Sequence, residues 1–405
     1  MIIINEKDKC CGCAACLQRC PKNCISLVND NEGFLYPVVD KESCIDCGLC
    51  EKVCPIINEG TPRDPIKVFA AINTNEEIRM KSSSGGIFTL LAEQVIKEGG
   101  VVFGARFDEQ WQVQLDYTET IEGIAAFRGS KYVQARTGST YRQAESFLKQ
   151  GRKVMFTGTP CQIAGLKKFL RKEYENLLTV DFVCHGVPSP LVWSKYLKER
   201  LASLGEKNSV LFSSKFKDVS KRTISLEDIS FRNKNLGWKK FSFVLYGKTR
   251  RGDSRRRENT VLFSCMHYKD TYMRAFLNNL ILRPSCHNCK CKEGKSNADL
   301  TIADFWGIDN YNPNMDDDKG TSLILIYTFN GKKCFFKLNL LKTEECIENA
   351  RKYNPGLESI CKPHPNRILF FKEIKRKNSV KKMIDNMLKP SLVRKCILLC
   401  ERIIK

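Results

Sequence analysis

Apolar positions after residue 66 switch repeatedly between two periods. Lys67–Ile72 is a short apolar run of strand composition. Ile87, Leu90, Leu91, Val95 and Ile96 then recur at helical spacing, behind Ser82-Ser83-Ser84-Gly85-Gly86, whose serines suit a helix cap. Gly99-Gly100 ends that helix, and Val101-Val102-Phe103-Gly104-Ala105 reads as a buried strand. The pattern repeats. A helix is expected over 139–150, stopped by Gly151, and Val154-Met155-Phe156 is a strand. The turn Gly158-Thr159-Pro160 leads into a helix starting at Cys161, with Ile163, Leu166, Phe169 and Leu170 on one face. Residues 177–183 form the next strand. This alternation predicts an α/β core with a mainly parallel sheet.

The flanks differ. Residues 58–65 are polar and rich in Gly and Pro, as in a linker. Residues 207–257 are polar, basic and hairpin-like, and from about Ile368 the chain is amphipathic, basic and helical in pattern. The layout expected is a small α+β domain over 1–58, a linker at 59–66, core halves at 67–150 and 151–330, and a basic C-terminal extension over 331–405. A chain of 405 residues has room for two or three cores. Its 42% apolar and 28% charged residues exclude a disordered chain. The start, Met-Ile-Ile-Ile-Asn-Glu-Lys-Asp, lacks the basic region and apolar run of a signal peptide. No uncharged apolar stretch approaches the roughly 18–20 residues that cross a bilayer. A soluble cytoplasmic protein is expected.

The net charge of +22 is concentrated. Residues 207–257 carry fifteen Lys and Arg against four Asp and Glu, and residues 362–405 carry thirteen against three. Such stretches attract phosphates. With no aromatic-interleaved RNA-binding motif and no zinc finger in the sequence, a solvated surface or docking on an acidic protein partner is the better reading than nucleic acid.

Cysteines change the picture most. There are 21, and ten precede residue 55. Without a secretory signal, such crowding indicates metal or redox chemistry, not disulfides. Cys10-x2-Cys13-x2-Cys16-x3-Cys20-Pro21 and Cys44-x2-Cys47-x2-Cys50-x3-Cys54-Pro55 both match the bacterial ferredoxin run, in which the fourth cysteine crosses to the other cluster. Cys10, Cys13, Cys16 and Cys54 are therefore expected to hold one [4Fe-4S] cube, and Cys44, Cys47, Cys50 and Cys20 the other. Gly12, Ala14, Ala15 and Gly48 are small enough for backbone amides to approach the sulfurs. Structural zinc also uses four thiolates, but from two C-x2-C pairs, without a third cysteine at the same step or a fourth before proline. Cys11 and Cys24 fall outside the pattern and read as small buried hydrophobes. Such a domain only conducts electrons, so further chemistry is expected downstream.

Four downstream features bear on it. Ser82 to Gly86 precedes a helix and is either a simple cap or a phosphate site. Gly129-Ser130-Lys131-Tyr132 is either an ordinary loop or a small-residue turn that holds a flavin or its phosphates. Cys161 stands at a helix start, where the dipole and free amides favour a thiolate, either nucleophile or metal ligand; the alternative is an inert buried cysteine. Cys286-x2-Cys289 needs two more thiolates for a full site. Cys184, after the strand ending at Val183, is the natural partner beside Cys161, both at carboxyl ends of neighbouring strands. Cys291 is a rival ligand. His185 and His287 adjoin these cysteines and are not taken as ligands.

Together these residues resemble a known family, the beta subunit of coenzyme F-420-reducing hydrogenase and of F-420-dependent dehydrogenases. The resemblance spans most of residues 1–310. It rests on the double ferredoxin run, Ser83-Ser84-Gly85-Gly86 with Thr89, Gly129-Ser130-Lys131-Tyr132, Gly158-Thr159-Pro160-Cys161-Gln162, Cys184, Cys286-x2-Cys289, and Ala298-Asp299 followed by Ala303-Asp304-Phe305-Trp306-Gly307. It implies FAD, a third cluster in the core, and hydride exchange with a soluble cofactor or substrate. It implies that Ser84, Gly85, Gly86 and Thr89 form one flavin loop and Ser130, Lys131 and Tyr132 a second. It makes Cys161, Cys184, Cys286 and Cys289 the core cluster set. Ala303 replaces a glycine common in the family, a change that adds a methyl where backbone approaches closely.

The expected protein is an iron–sulfur flavoprotein oxidoreductase. It would pass electrons between its clusters, FAD and a small hydride donor or acceptor, and meet a redox partner protein. The alternative is a non-catalytic electron-transfer subunit of a larger complex.

Overall fold

A computed structural model describes residues 1–210, 224–249, 258–376 and 379–389. The N-terminal unit holds two short helices, α1 (Ala15–Arg19) and α2 (Leu49–Lys52), around a hairpin of β1 (Ile25–Asn29) and β2 (Leu35–Val39). The extended stretch after it runs without helix or strand to β3 (Lys67–Ile72), strapped to residues 293–298 by bonds from Arg63 to Gly294 O and Ala298 O. There follow α3 (Glu76–Lys81), α4 (Ile87–Lys97), β4 (Val101–Phe107), β5 (Val113–Thr118), α5 (Thr140–Lys149), β6 (Val154–Thr157), α6 (Pro160–Leu170), β7 (Leu177–Phe182) and α7 (Pro190–Val210). Then come β8 (Ile224–Asn233), β9 (Ser242–Thr249), β10 (Glu258–Met266), α8 (Thr271–Leu277), β11 (Leu300–Asp304), β12 (Ser322–Ile326), α9 (Phe329–Phe336), β13 (Leu341–Glu344), α10 (Ile347–Tyr353), α11 (Arg367–Glu373) and α12 (Val380–Met387).

Eight strands make one sheet in the order β13-β3-β12-β11-β7-β6-β4-β5. The expectation of a mainly parallel sheet is corrected: only β4, β6, β7 and β11 run parallel, and every flanking pair is antiparallel. The helical crossovers through α5 and α6 give the parallel centre, whereas short returns such as β4 to β5 reverse direction. The edge strand β13 belongs to the stretch read from sequence as an extension.

The basic hairpin reading holds for β8, β9 and β10, a separate three-stranded antiparallel sheet. Residues 207–210 instead end the long helix α7, and residues 211–223 and 250–257 lie outside the described residues, as do 377–378 and 390–405 of the basic tail. The described tail is helical in α11 and α12, and α12 buries Val380, Met383, Ile384 and Met387. Phe34 of the N-terminal hairpin is fully buried in one cluster with Trp193, Phe231, Tyr272 and Phe370. Gln18 is likewise inserted, its Oε1 accepting from the Tyr141 amide at 2.9 Å. The N-terminal unit is therefore part of the common core. None of the described helices is long and apolar enough to cross a membrane.

Candidate functional site

The two cysteine runs share one backbone device. At the second and fourth positions after the first cysteine, φ is positive: Gly12 (73°) and Ala14 (62°) in the first, Asp46 (47°) and Gly48 (67°) in the second. Alternating handedness of this kind turns successive amides towards one point. Ala14 and Asp46 hold it against the usual preference of L residues. The Ile2 amide donates to Cys50 Sγ at 3.3 Å, the type of N–H···S bond that favours a thiolate.

Cys16 lies in the fields of Cys10, Cys54 and Cys50. Burial and the nearby Cys10 and Cys54 thiols push Cys16 up to about 12. Cys20, Cys44, Cys47 and Cys50 line one small cavity near the surface, closed by Gly48 and Pro21, and Cys47 is exposed. Cys24 also lines it, its sulfur 3.4 Å from that of Cys20. Cys11, read as a small buried hydrophobe, is buried in a hydrophobic cluster and also lies beside Cys161, whose thiol is raised by that contact and by burial.

In the core, β6 and β7 are parallel neighbours, and Cys161 and Cys184 follow their carboxyl ends. Thr159 caps α6 in a capping box with Gln162, which fixes Cys161 in the first turn. Burial raises the Cys184 thiol well above its ordinary value, reinforced by Cys286, Cys161 and Cys289. The four predicted cysteines are thus electrostatic neighbours. The Val187 amide donates to Cys286 Sγ at 3.3 Å. Cys291, the rival, is buried and lies in the fields of Cys161 and Cys289. Among the described residues no three Cys, His, Asp or Glu side chains stand as a ready-made single-ion site. His185 bonds Asn279 at 2.6 Å and His287 bonds the Cys361 carbonyl at 2.8 Å, so both have partners other than a cluster.

A cavity of about 630 Å³ opens beside Cys161 and Cys184. Both loops singled out in the sequence stand in its wall, through Ser84 and Gly86 and through Ser130, Lys131 and Tyr132. They are joined: Ser83 Oγ lies 2.8 Å from Ser130 Oγ and accepts from the Ser130 amide at 2.7 Å. Gly85 and Thr89 stand behind that wall. The Gly85 amide donates to Ser322 Oγ at 3.0 Å, and Thr89 Oγ1 accepts from Arg128 Nε at 3.1 Å.

The serines do not cap α4, contrary to the sequence expectation. Ser82 bonds Ile78 O and Ser84 bonds Thr321 O, while Gly86 in the left-handed region is the N-cap, without a side-chain bond. The first turn of α4 therefore has no side-chain cap.

Arg128, Lys131, Arg232 and Lys239 also line the cavity. Loss of hydration pushes Lys131 down to about 8. Arg232 pairs with Asp304 at the carboxyl end of β11, and its face covers the Phe241 ring at 4.1 Å. Trp306 stacks on Trp238 at 4.5 Å with the two rings nearly parallel. Ala303 is accommodated in the wall and packs against the neighbouring core. The wall thus combines cations with aromatic rings. Sequence reasoning missed Arg232 and Lys239, which come from a basic hairpin without a spacing signal. Asp304 and Trp306 belong to a motif whose spacing alone assigns them no role.

The family model for the coenzyme F420 hydrogenase/dehydrogenase beta subunit N-terminus matches residues 68–140, and that for its C terminus matches residues 151–348. The chain belongs to the family of coenzyme F420 hydrogenase/dehydrogenase beta subunits. A 4Fe-4S dicluster domain matches residues 9–56, so this family member carries an iron–sulfur unit at its N-terminus. Similar proteins include a subunit of the F(420)H(2) dehydrogenase of Methanosarcina mazei, 23% identical over 189 residues, covering 44% of this chain and 54% of that protein. A seven-iron ferredoxin of Hydrogenibacillus schlegelii is 44% identical over 43 residues, covering 11% of this chain and 49% of that protein. The chain spans about half the length of the curated relatives it matches. Among solved structures, a chain of the F420-reducing [NiFe] hydrogenase complex from Methanosarcina barkeri aligns with TM-score 0.39 and 20% identity, covering 80% of this chain and 90% of that one.

Proposed function

We propose that this protein is an iron–sulfur flavoprotein oxidoreductase that moves electrons between a redox partner protein and a small hydride donor or acceptor. The observation that carries the reading is the shared wall of the large cavity, where Cys161 and Cys184 meet both loops of the flavin-type motif. Cys10, Cys13, Cys16 and Cys54 would hold one cluster, and Cys20, Cys44, Cys47 and Cys50 the second. Cys161, Cys184, Cys286 and Cys289 would hold the third. The exposed Cys47 edge is the natural contact for the partner protein.

FAD would occupy the large cavity and, when bound, would supply the exchange between one-electron and two-electron steps that clusters lack. The uncapped start of α4 and Lys131 would receive its phosphates. Ser83 and Ser130 lock the two loops at a fixed separation, and Tyr132, stacked on Phe276 at 4.6 Å, holds the second loop against the core. The Trp238–Trp306 stack and the Arg232–Asp304 pair close one side against water. The deazaflavin named in the family is the first hydride partner to test.

Anaerobic reconstitution tests the reading. About twelve irons per chain are expected, four for each of three clusters. A bound flavin spectrum and reduction of a deazaflavin or another hydride acceptor complete the expected result. Full iron with no flavin bound at saturating FAD favours the second reading, a non-catalytic electron-transfer subunit. That reading draws on the Methanosarcina mazei relative, which is named as one subunit of a dehydrogenase.

A further inference from the structure

Arg283 is completely buried, three residues before Cys286. Its Nε donates to Cys10 O at 2.8 Å, and Nη1 donates to Gln134 Oε1 at 3.0 Å. Nη2 donates to Leu35 O at 2.9 Å and points at Cys10 Sγ, 3.6 Å away. The Tyr36 ring lies 4.3 Å from the guanidinium carbon and the Phe34 ring 5.4 Å. Other well-buried arginines have carboxylates: Arg79 has Asp317, Arg232 has Asp304 and Arg367 has Glu32. Among the described residues no carboxylate stands at ion-pair distance from Arg283. A guanidinium removed from water needs an anion. The group that can supply it is the Cys10 sulfur, as a thiolate.

The surroundings hold this contact in place. The Arg283 amide donates to Val187 O at 3.0 Å. Gln134, in the wall of the large cavity, donates its Nε2 to Cys11 O at 3.1 Å. Gly12 lies under both: a Cβ there would come within 2.9 Å of Arg283 Nη1 and 2.8 Å of Gln134 Nε2. One buried cation therefore touches the first cysteine run, the cavity loop and the chain leading to Cys286.

We infer that Arg283 is a positioning residue for the N-terminal cluster held through Cys10, and that its charge raises the reduction potential of that cluster. The inference rests on the assignment of Cys10 as a ligand. Reduction brings one electron and one added negative charge to the cluster, with no proton required. A fixed cation against a ligand sulfur, shielded from water, stabilises that charge. The Cys10 side of the unit faces the core, since Cys13 packs against Gly165 of α6. The cation thus holds the electron where it can pass inward.

The test is an anaerobic redox titration of the full chain, followed by electron paramagnetic resonance. In Arg283→Gln one N-terminal cluster is expected to move to a more negative midpoint while the other stays put. Arg283→Lys should restore most of the difference. Unchanged midpoints in Arg283→Gln with both clusters present overturn the inference. Where Arg283→Gln does not assemble, wild-type protein carrying guanidino-¹⁵N arginine decides. A ¹⁵N coupling to one N-terminal cluster in pulsed spectra supports the inference, and no such coupling at either overturns it. Absence of any reduced four-iron signal from the N-terminal unit would instead refute the ligand assignment beneath it.

Discussion

Arg232 and Asp304 form a two-pronged ion pair, Nη1 to Oδ2 at 2.8 Å and Nη2 to Oδ1 at 3.1 Å, that joins the small sheet to the large one. The Asp304 Oδ1 also accepts from Trp238 Nε1 at 2.8 Å. Both side chains are largely withdrawn from solvent, 6% and 16% exposed. Removing the carboxylate leaves a buried guanidinium without its anion, so Asp304→Ala should cost about 3–5 kcal/mol of stability. Asp304→Asn keeps an acceptor for Trp238 and should cost less. Anaerobic urea unfolding of the two variants ranks them, and equal losses would contradict this account of the pair.

Cys161→Ala should remove the core cluster and spare both N-terminal ones. Iron per chain is expected to fall by about four. With Cys161, Cys184, Cys286 and Cys289 as the proposed set, Cys291→Ser should leave the count unchanged. If Cys291→Ser also loses about four irons, Cys291 and not one of these four is a ligand.

Legibility varied with the kind of signal. Most strands and helices between residues 67 and 183 were readable because their apolar residues are buried in sequence-local patterns, as in α6 with Ile163, Leu166 and Phe169, whereas α3 and β5 were not read. The antiparallel flanks were not, since no local pattern records that β12 returns beside β3. The cysteine runs were legible from spacing alone. The contact of Cys11 with Cys161 was not, because the two are distant in sequence. Ser82 to Gly86 misled for a physical reason. Serine hydroxyls near a helix start usually cap it, but here each has a tertiary or earlier-turn partner, and the left-handed Gly86 takes over.

Asp181 on β7 should give the protein a pH-dependent stability. It is 3% exposed and lines the large cavity. Burial raises its carboxyl from 3.8 to about 6, against the opposing effects of Ser296, Thr301 and Arg63. The Tyr327 phenol is raised by burial and by Asp181 in turn. The folded state holds this proton more tightly than the unfolded chain. Its contribution is therefore full below the unfolded value and lost as pH rises through about 6. The loss is roughly 2–3 kcal/mol. Asp181→Asn should remove that slope between pH 4 and 6 and be the more stable protein at pH 8. A slope that persists in Asp181→Asn assigns it to another group.

Gly165 makes the closest test of how the N-terminal unit is seated. It lies inside α6, where replacing glycine by alanine ordinarily gains about 1 kcal/mol. Here a Cβ would stand 2.9 Å from Cys13 Cβ, 3.0 Å from Cys13 Sγ and 3.0 Å from Tyr141 Oη. Tyr141 cannot easily yield, since it is fully buried and its hydroxyl donates to Gln162 O at 2.7 Å. The added methyl must push the first cysteine run away from α6. Gly165→Ala should therefore lose roughly 1–3 kcal/mol, the usual cost of overpacking. It should also lower the occupancy of one N-terminal cluster and leave the more exposed one intact. Anaerobic unfolding and reduced-state paramagnetic resonance measure the two effects together. A variant that is stabilised and fully loaded with iron would show that Cys13 is free to move, and that the packing of α6 does not set the position of the cluster.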